Sequence, residues 1–183
     1  MKKVLSIAAI LGFAFAANAQ NATSSASQTT KLSLANAVEI TFTGSGTTTG
    51  GLVTLPFTTV DDYANGVESA AQTLKVRSNK AFGVTVKTNA ANFSYSGSTT
   101  PAPAMPVSNV LKVKVSANST GGSIASPFSA SAYETLSSAD QNLISNGTYG
   151  GNQTFDVNYQ ATPGFAYPAG DYTVNVVYTV TQQ

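Results

Sequence analysis

Residues 168–183 read PAGDYTVNVVYTVTQQ, and within them Tyr172, Val174, Val176, Tyr178 and Val180 take every second position. Thr173, Asn175, Val177, Thr179 and Thr181 lie between, four of the five polar. Side chains alternate between the two faces of a strand, so this run turns one face to a core and the other to water. Its β-branched and aromatic residues suit a pleated, half-buried surface. A chain carrying such a strand must cover its dry face with a second layer, which points to an all-β domain.

The same period recurs upstream. Leu32 and Leu34, then Val38, Ile40 and Phe42, mark one strand or two joined near Ala35-Asn36. Residues 44–51 form a Gly/Ser/Thr loop, and residues 52–60 read as a strand whose Pro56 places it at an edge or a bend. Leu74 and Val76 alternate with Lys75 and Arg77, then Ser78-Asn79-Lys80 leads into Phe82, Val84 and Val86, the pattern of a hairpin. Phe93 and Tyr95 suggest a short strand, and residues 107–116 a longer one with Leu111, Val113 and Val115 inward. Residues 137–144 read as a single helical turn capped by Ser137 or Ser138. Phe155, Val157 and Tyr159 give the strand before the last. Seven to nine strands with no helices alternating between them predict an antiparallel, immunoglobulin-like β-sandwich.

Three segments are expected. Lys2 and Lys3, the apolar residues 4–16 and the small-x-small site Ala17-Asn18-Ala19 read as a signal peptide over residues 1–19. The apolar run is short for a membrane span, which needs roughly 20 residues. Residues 20–30 are a polar leader without apolar period, and residues 31–183 a single domain. The chain is thus expected to be exported, with no transmembrane segment once residues 1–19 are removed. Seven basic residues would then face eight acidic ones, which lacks the electrostatic footprint of a nucleic-acid binder.

The chain has no Cys and no His. That excludes disulfides and thiolate–zinc sites, and it leaves acid–base chemistry to carboxylates, basic side chains and tyrosines. No cofactor motif is found. A hydrolase would need a carboxylate pair assembled by the fold, such as Asp61 or Asp62 with Glu134 or Asp156. Asp61, Asp62 and Asn65 could give oxygens to a calcium ion. Their spacing matches no full calcium loop, so a turn between strands is the plainer reading. Phe165 and Tyr167, with Tyr149, could stack on sugar rings, or Phe165 and Tyr167 could anchor a loop to the sandwich end. Lys75, Arg77, Lys87, Lys112 and Lys114 fall on outward strand faces, where lysine discourages edge pairing. On one shared sheet they would instead make a basic face for an anionic glycan or another subunit.

The ending Ala169-Gly170-Asp171-Tyr172-Thr173-Val174, running into Val177-Tyr178-Thr179-Val180-Thr181, resembles the closing strand of spore-coat-U-like and fimbrial-subunit-like exported bacterial domains. The strand Phe155-Asp156-Val157-Asn158-Tyr159 and the stretch LKVRSNKAFGVTVKT (residues 74–88) are similar in pattern. The resemblance implies a non-enzymatic, structural or adhesive subunit of a surface fibre or coat. Its partners would be further copies of itself or other surface proteins, joined by strand addition. The strand-exchange candidates are Leu32, Leu34, Val38, Ile40 and Phe42. The chain departs from that group in lacking paired cysteines and in having few apolar residues over 20–30. The alternative is a carbohydrate-binding sandwich, with Phe165 and Tyr167 as its ligand loop and calcium assisting.

Overall fold

The computed structural model describes residues 22–183, so the expected signal peptide over residues 1–19 lies outside the described residues. The chain divides after Leu34 into two units. Residues 22–34 of the first carry no secondary structure and are exposed throughout, so Lys31, Leu32 and Leu34 belong with the leader. The second unit, Ala35–Gln183, is a β-sandwich.

Its elements in chain order are β1 (Val38–Phe42), α1 (Val60–Asn65), β2 (Val67–Glu68), β3 (Gln72–Ser78), β4 (Phe82–Thr88), β5 (Ser94–Ser96), α2 (Val107–Val110), β6 (Leu111–Ser119), β7 (Ser123–Ile124), β8 (Glu134–Thr135), β9 (Gln141–Gly147), β10 (Gly150–Ala161), β11 (Asp171–Thr173) and β12 (Val176–Gln182). One sheet runs β1-β3-β10-β6-β8, with β2 beside β10, and the other runs β12-β4-β9-β7. β5 and β11 form a separate pair, and every ladder is antiparallel. Among the described residues, seven of the twelve strands have five residues or more, and the alternation marks all of these except β9; the other five are short pieces of two or three.

The core is the meeting of the two dry faces. Leu74, Val76, Val113, Val115, Phe155 and Val157 from the first sheet pack with Phe82, Val84, Val86, Leu143 and Ile144 from the second. Each such side chain contributes roughly 1.5–3 kcal/mol through burial. Central β10 follows the period-two rule closely, burying Phe155, Val157, Tyr159 and Ala161 in turn.

Four local expectations fail. β3 and β4 are not a hairpin: β3 pairs with β1 and β10, and β4 with β12 and β9, so residues 79–81 arch from one sheet to the other. Residues 52–59 form no ladder, although Val53, Leu55 and Phe57 still pack inward in alternation. Residues 137–144 are not a helical turn, since β9 begins at Gln141. Residues 107–110 make one helical turn that buries Val107 and Val110 before β6 starts.

The registers define two poles of the sandwich. Val38, Ser78, Phe82, Gly147, Gly150 and Gln182 share one, where the chain enters β1. Val67, Thr88, Leu111, Ala161 and Val176 share the other.

Candidate functional site

The strand-exchange candidates divide between two environments. Leu32 and Leu34 are 78% and 85% exposed and belong to no strand. Val38, Ile40 and Phe42 lie in β1, and Ile40 and Phe42 pack against the core of their own chain. Among the described residues β1 is an edge strand, paired only with β3. Asn79 N–H donates to Ala37 O (3.2 Å) and Thr43 N–H to Thr73 O (2.9 Å), so the odd-numbered residues face β3. Backbone groups of an antiparallel pair alternate, which turns those of Val38, Ile40 and Phe42 outward. Phe42 satisfies its own in the following turn, accepting from Gly46 N–H (2.7 Å) and donating to Thr47 O (2.9 Å).

β12 is the edge of the second sheet on the same side. Asn89 N–H donates to Asn175 O (2.9 Å) and Gln183 N–H to Ala81 O (2.8 Å), so Val176, Tyr178, Val180 and Gln182 present their backbone groups away from β4. Side chains tie the two edges together. The Gln182 amide donates to Ala37 O (2.8 Å), Asn79 Oδ1 (3.0 Å) and Ser78 Oγ (3.1 Å). Phe42 meets Tyr178 edge-on at 6.2 Å. The Tyr178 and Tyr159 hydroxyls bond each other at 2.8 Å, joining β12 to β10 across the core. Burial pushes both phenols up, Tyr178 far above its ordinary value.

The second region is the pole at Ala161. There Met105, Val110 and Ala161 form a small buried cluster, against which Leu55, Phe57, Phe93, Tyr167 and Tyr172 pack. Phe57, Tyr63 and Phe165 make a three-ring stack: Phe57 to Tyr63 is 5.4 Å, and Tyr63 to Phe165 is 5.5 Å with planes only 21° apart. Phe165 is 69% exposed, whereas Tyr167 is half-buried and leans on Tyr172 at 6.4 Å. The structure therefore separates the two loop aromatics, one outward and one anchoring.

The residues considered for calcium lie in α1, a helix rather than a simple turn. Asp62 Oδ2 accepts from Thr58 N–H and Thr59 N–H (2.7 Å each) and from Thr58 Oγ1 (3.2 Å), while Thr59 Oγ1 accepts from Asp62 N–H (3.2 Å). This reciprocal capping box satisfies the free amides of the helix start. It holds the Asp62 carboxyl below its ordinary range, chiefly through the Thr59 amide and then the Thr58 amide. Asn65 donates its amide to Asp61 O (3.1 Å). Gly66 ends the helix at φ 84°, where a Cβ would lie 2.7 Å from Ala161 O, so glycine is required. Among the described residues no cluster of three or more acidic side chains could hold a metal ion. Asp61 and Asp62, Glu134 and Asp156 sit on three separate elements, α1, β8 and β10.

Of the five outward cations, Lys75, Arg77, Lys112 and Lys114 share the first sheet, on β3 and β6 either side of β10. Lys87 lies on the second and pairs with Asp140 at 3.1 Å. Two of the four on the first sheet are engaged by neighbours. Arg77 pairs with Glu39 at 3.1 Å, and Lys114 sits 4.4 Å above the Tyr133 ring. Tyr133 donates to Glu68 (3.0 Å); partial burial first, then that hydrogen bond and the Glu68 charge, push its phenol up to about 12. Among the described residues no helix is long and apolar enough to cross a membrane. Compared with protein-family models and with curated proteins, the chain matches none.

Proposed function

We propose that this is an exported, non-enzymatic structural or adhesive protein of a bacterial surface, fimbria- or coat-subunit-like, which joins copies of itself by exchanging β1. The observation that carries this reading is the attachment of β1: among the described residues it is an edge strand paired on one side only, and it is followed by TGSGTTTGGL. Those ten residues span at most about 33 Å when extended, enough for β1 to leave its own β3 and dock on that of a neighbour. Ile40 and Phe42 are half-buried, and the contacts β1 gives up on leaving re-form in the partner. Main-chain hydrogen bonds would give affinity, and the alternating Val38, Ile40 and Phe42 would set register. The lack of His and Cys supports a non-enzymatic role.

A disulfide lock tests this. Glu39 and Arg77 are a hydrogen-bonded cross-strand pair on the exposed face, with a Cα separation of about 5.5 Å expected for such pairs, and that suits a disulfide. The chain has no other Cys. The doubly substituted Glu39→Cys/Arg77→Cys chain, refolded at high concentration, should give oligomers by light scattering when reduced and monomers when oxidised before refolding. Equal oligomerisation in both states, or monomers in both, contradicts strand exchange.

A further inference from the structure

We infer that the pole at Ala161 is a binding platform for an uncharged pyranose glycan, with Phe165 as its stacking ring. This goes beyond the strand-exchange reading and does not rest on it.

Phe165 is held rather than loose. Its ring lies nearly parallel on Tyr63, and Tyr63 leans on Phe57, which reaches the buried cluster around Met105 and Val110. A large apolar ring supported from behind yet left 69% exposed is a surface already positioned for a flat apolar partner. Polar groups sit on the same two segments as the stacked rings. The Tyr63 and Tyr167 hydroxyls and the Asp61 carboxylate make no hydrogen bond to any described residue. By contrast, the Tyr95 and Tyr172 hydroxyls deeper in the same cluster are spent on Ala169 O (3.0 Å) and Pro168 O (2.9 Å).

Charge selects the ligand class. Residues 43–66 and 161–176, which carry the three rings, contain no Lys or Arg and carry Asp61, Asp62 and Asp171, while Lys87 and Lys112 lie one rung in from the Thr88 and Leu111 ends of the pole. Phosphate, sulfate and nucleic-acid polymers would meet three carboxylates on the segments that hold the rings. One face of a sugar ring matches the area of a single phenyl ring. The platform lies at the pole opposite the entry of the chain into β1.

Affinity gel electrophoresis of the full chain tests the inference, with laminarin, xyloglucan, galactomannan and dextran as neutral probes and heparin and chitosan as charged ones. At least one neutral polymer should retard the chain. Phe165→Ala should weaken that retardation about tenfold, and Phe165→Tyr should restore most of it. Tyr149→Ala, removing a ring 73% exposed at the opposite pole, should leave it unchanged. Circular dichroism of each variant confirms folding, and Phe165→Tyr keeps the test meaningful if Phe165→Ala does not fold. No retardation by any neutral polymer, retardation by heparin or chitosan alone, or a Phe165→Ala chain that binds as well as its parent overturns the inference. Each of these outcomes is independent of whether β1 exchanges.

Discussion

Removing one hydroxyl from the Tyr159–Tyr178 pair should destabilise the sandwich more than removing both would lead one to expect. Each hydroxyl has the other, at 2.8 Å, as its partner among the described residues. Tyr159 is only 7% exposed, so the hydroxyl left behind by a single substitution has little access to water. A hydrogen bond is worth about 1 kcal/mol net, and an orphaned buried hydroxyl costs about 1–3 kcal/mol. Tyr159→Phe and Tyr178→Phe should therefore each cost about 1–2 kcal/mol. The double variant leaves no orphan, and its cost should fall short of the sum by about 1 kcal/mol. Urea denaturation of the parent, both single variants and the double variant closes the cycle. The same pair predicts a pH response. Both folded phenols titrate above the ordinary value of 10, so the unfolded chain loses those protons first as pH rises. The pair's contribution is complete below about pH 10 and declines above it. Melting temperature should hold steady to roughly pH 9.5 and then fall, less steeply in the double variant. Strict additivity in urea, with an unchanged alkaline profile in the double variant, would refute the reasoning.

Other outcomes follow from single contacts. Gly122→Ala would set a Cβ 2.6 Å from Gly147 N and 2.8 Å from Asn146 C, and against Ser145 O. Those are backbone atoms that cannot swing aside, so a loss of about 1–3 kcal/mol is expected in the urea midpoint. Thr59→Ala removes the N-cap of α1 and should cost about 1 kcal/mol by the same assay. Asp62 has its carboxyl held below its ordinary value, so its stabilising effect is present above the unfolded value of 3.8 and fades as pH falls through the folded one. In acid melts, Asp62→Asn should therefore narrow the difference from the parent as the pH drops. Calcium should not raise the melting temperature, because Asp62 Oδ2 already accepts three protein donors. A calcium-dependent rise removed by EDTA would revive the cation site.

Period-two alternation made β3, β4, β6, β10 and β12 legible, because each turns every second side chain toward the core over most of a run. It was silent about which runs pair. Leu74–Val76 and Phe82–Val84–Val86 alternate as a hairpin would, yet here the two sets face each other across the core, and three connecting residues suit an arch as well as a turn. β9 escaped notice because its ladder with β4 is irregular, with register shifts around Val84. Leu143 and Ile144 are consequently buried side by side, and consecutive apolar residues imitate a helix. Residues 52–59 kept the alternation of a strand without a partner, and Pro56 has no N–H to offer one. At the candidate sites, residue type pointed to Phe165, Asp61, Asp62 and the outward lysines. The Tyr63–Phe165 stack, the Tyr159–Tyr178 bridge and the Gln182 clasp join residues 19 to 145 positions apart, and no local pattern encodes such meetings.

The most direct test of the assembly account mixes two chains that each carry one cysteine, Glu39→Cys in one and Arg77→Cys in the other. The mixture is refolded together at high concentration and then oxidised. Strand exchange places β1 of one copy beside β3 of another, so mixed disulfide dimers should form well beyond the dimers of either variant alone. If mixed dimers form no faster than like-with-like ones, β1 stays in its own sandwich and the account of assembly by strand exchange is wrong.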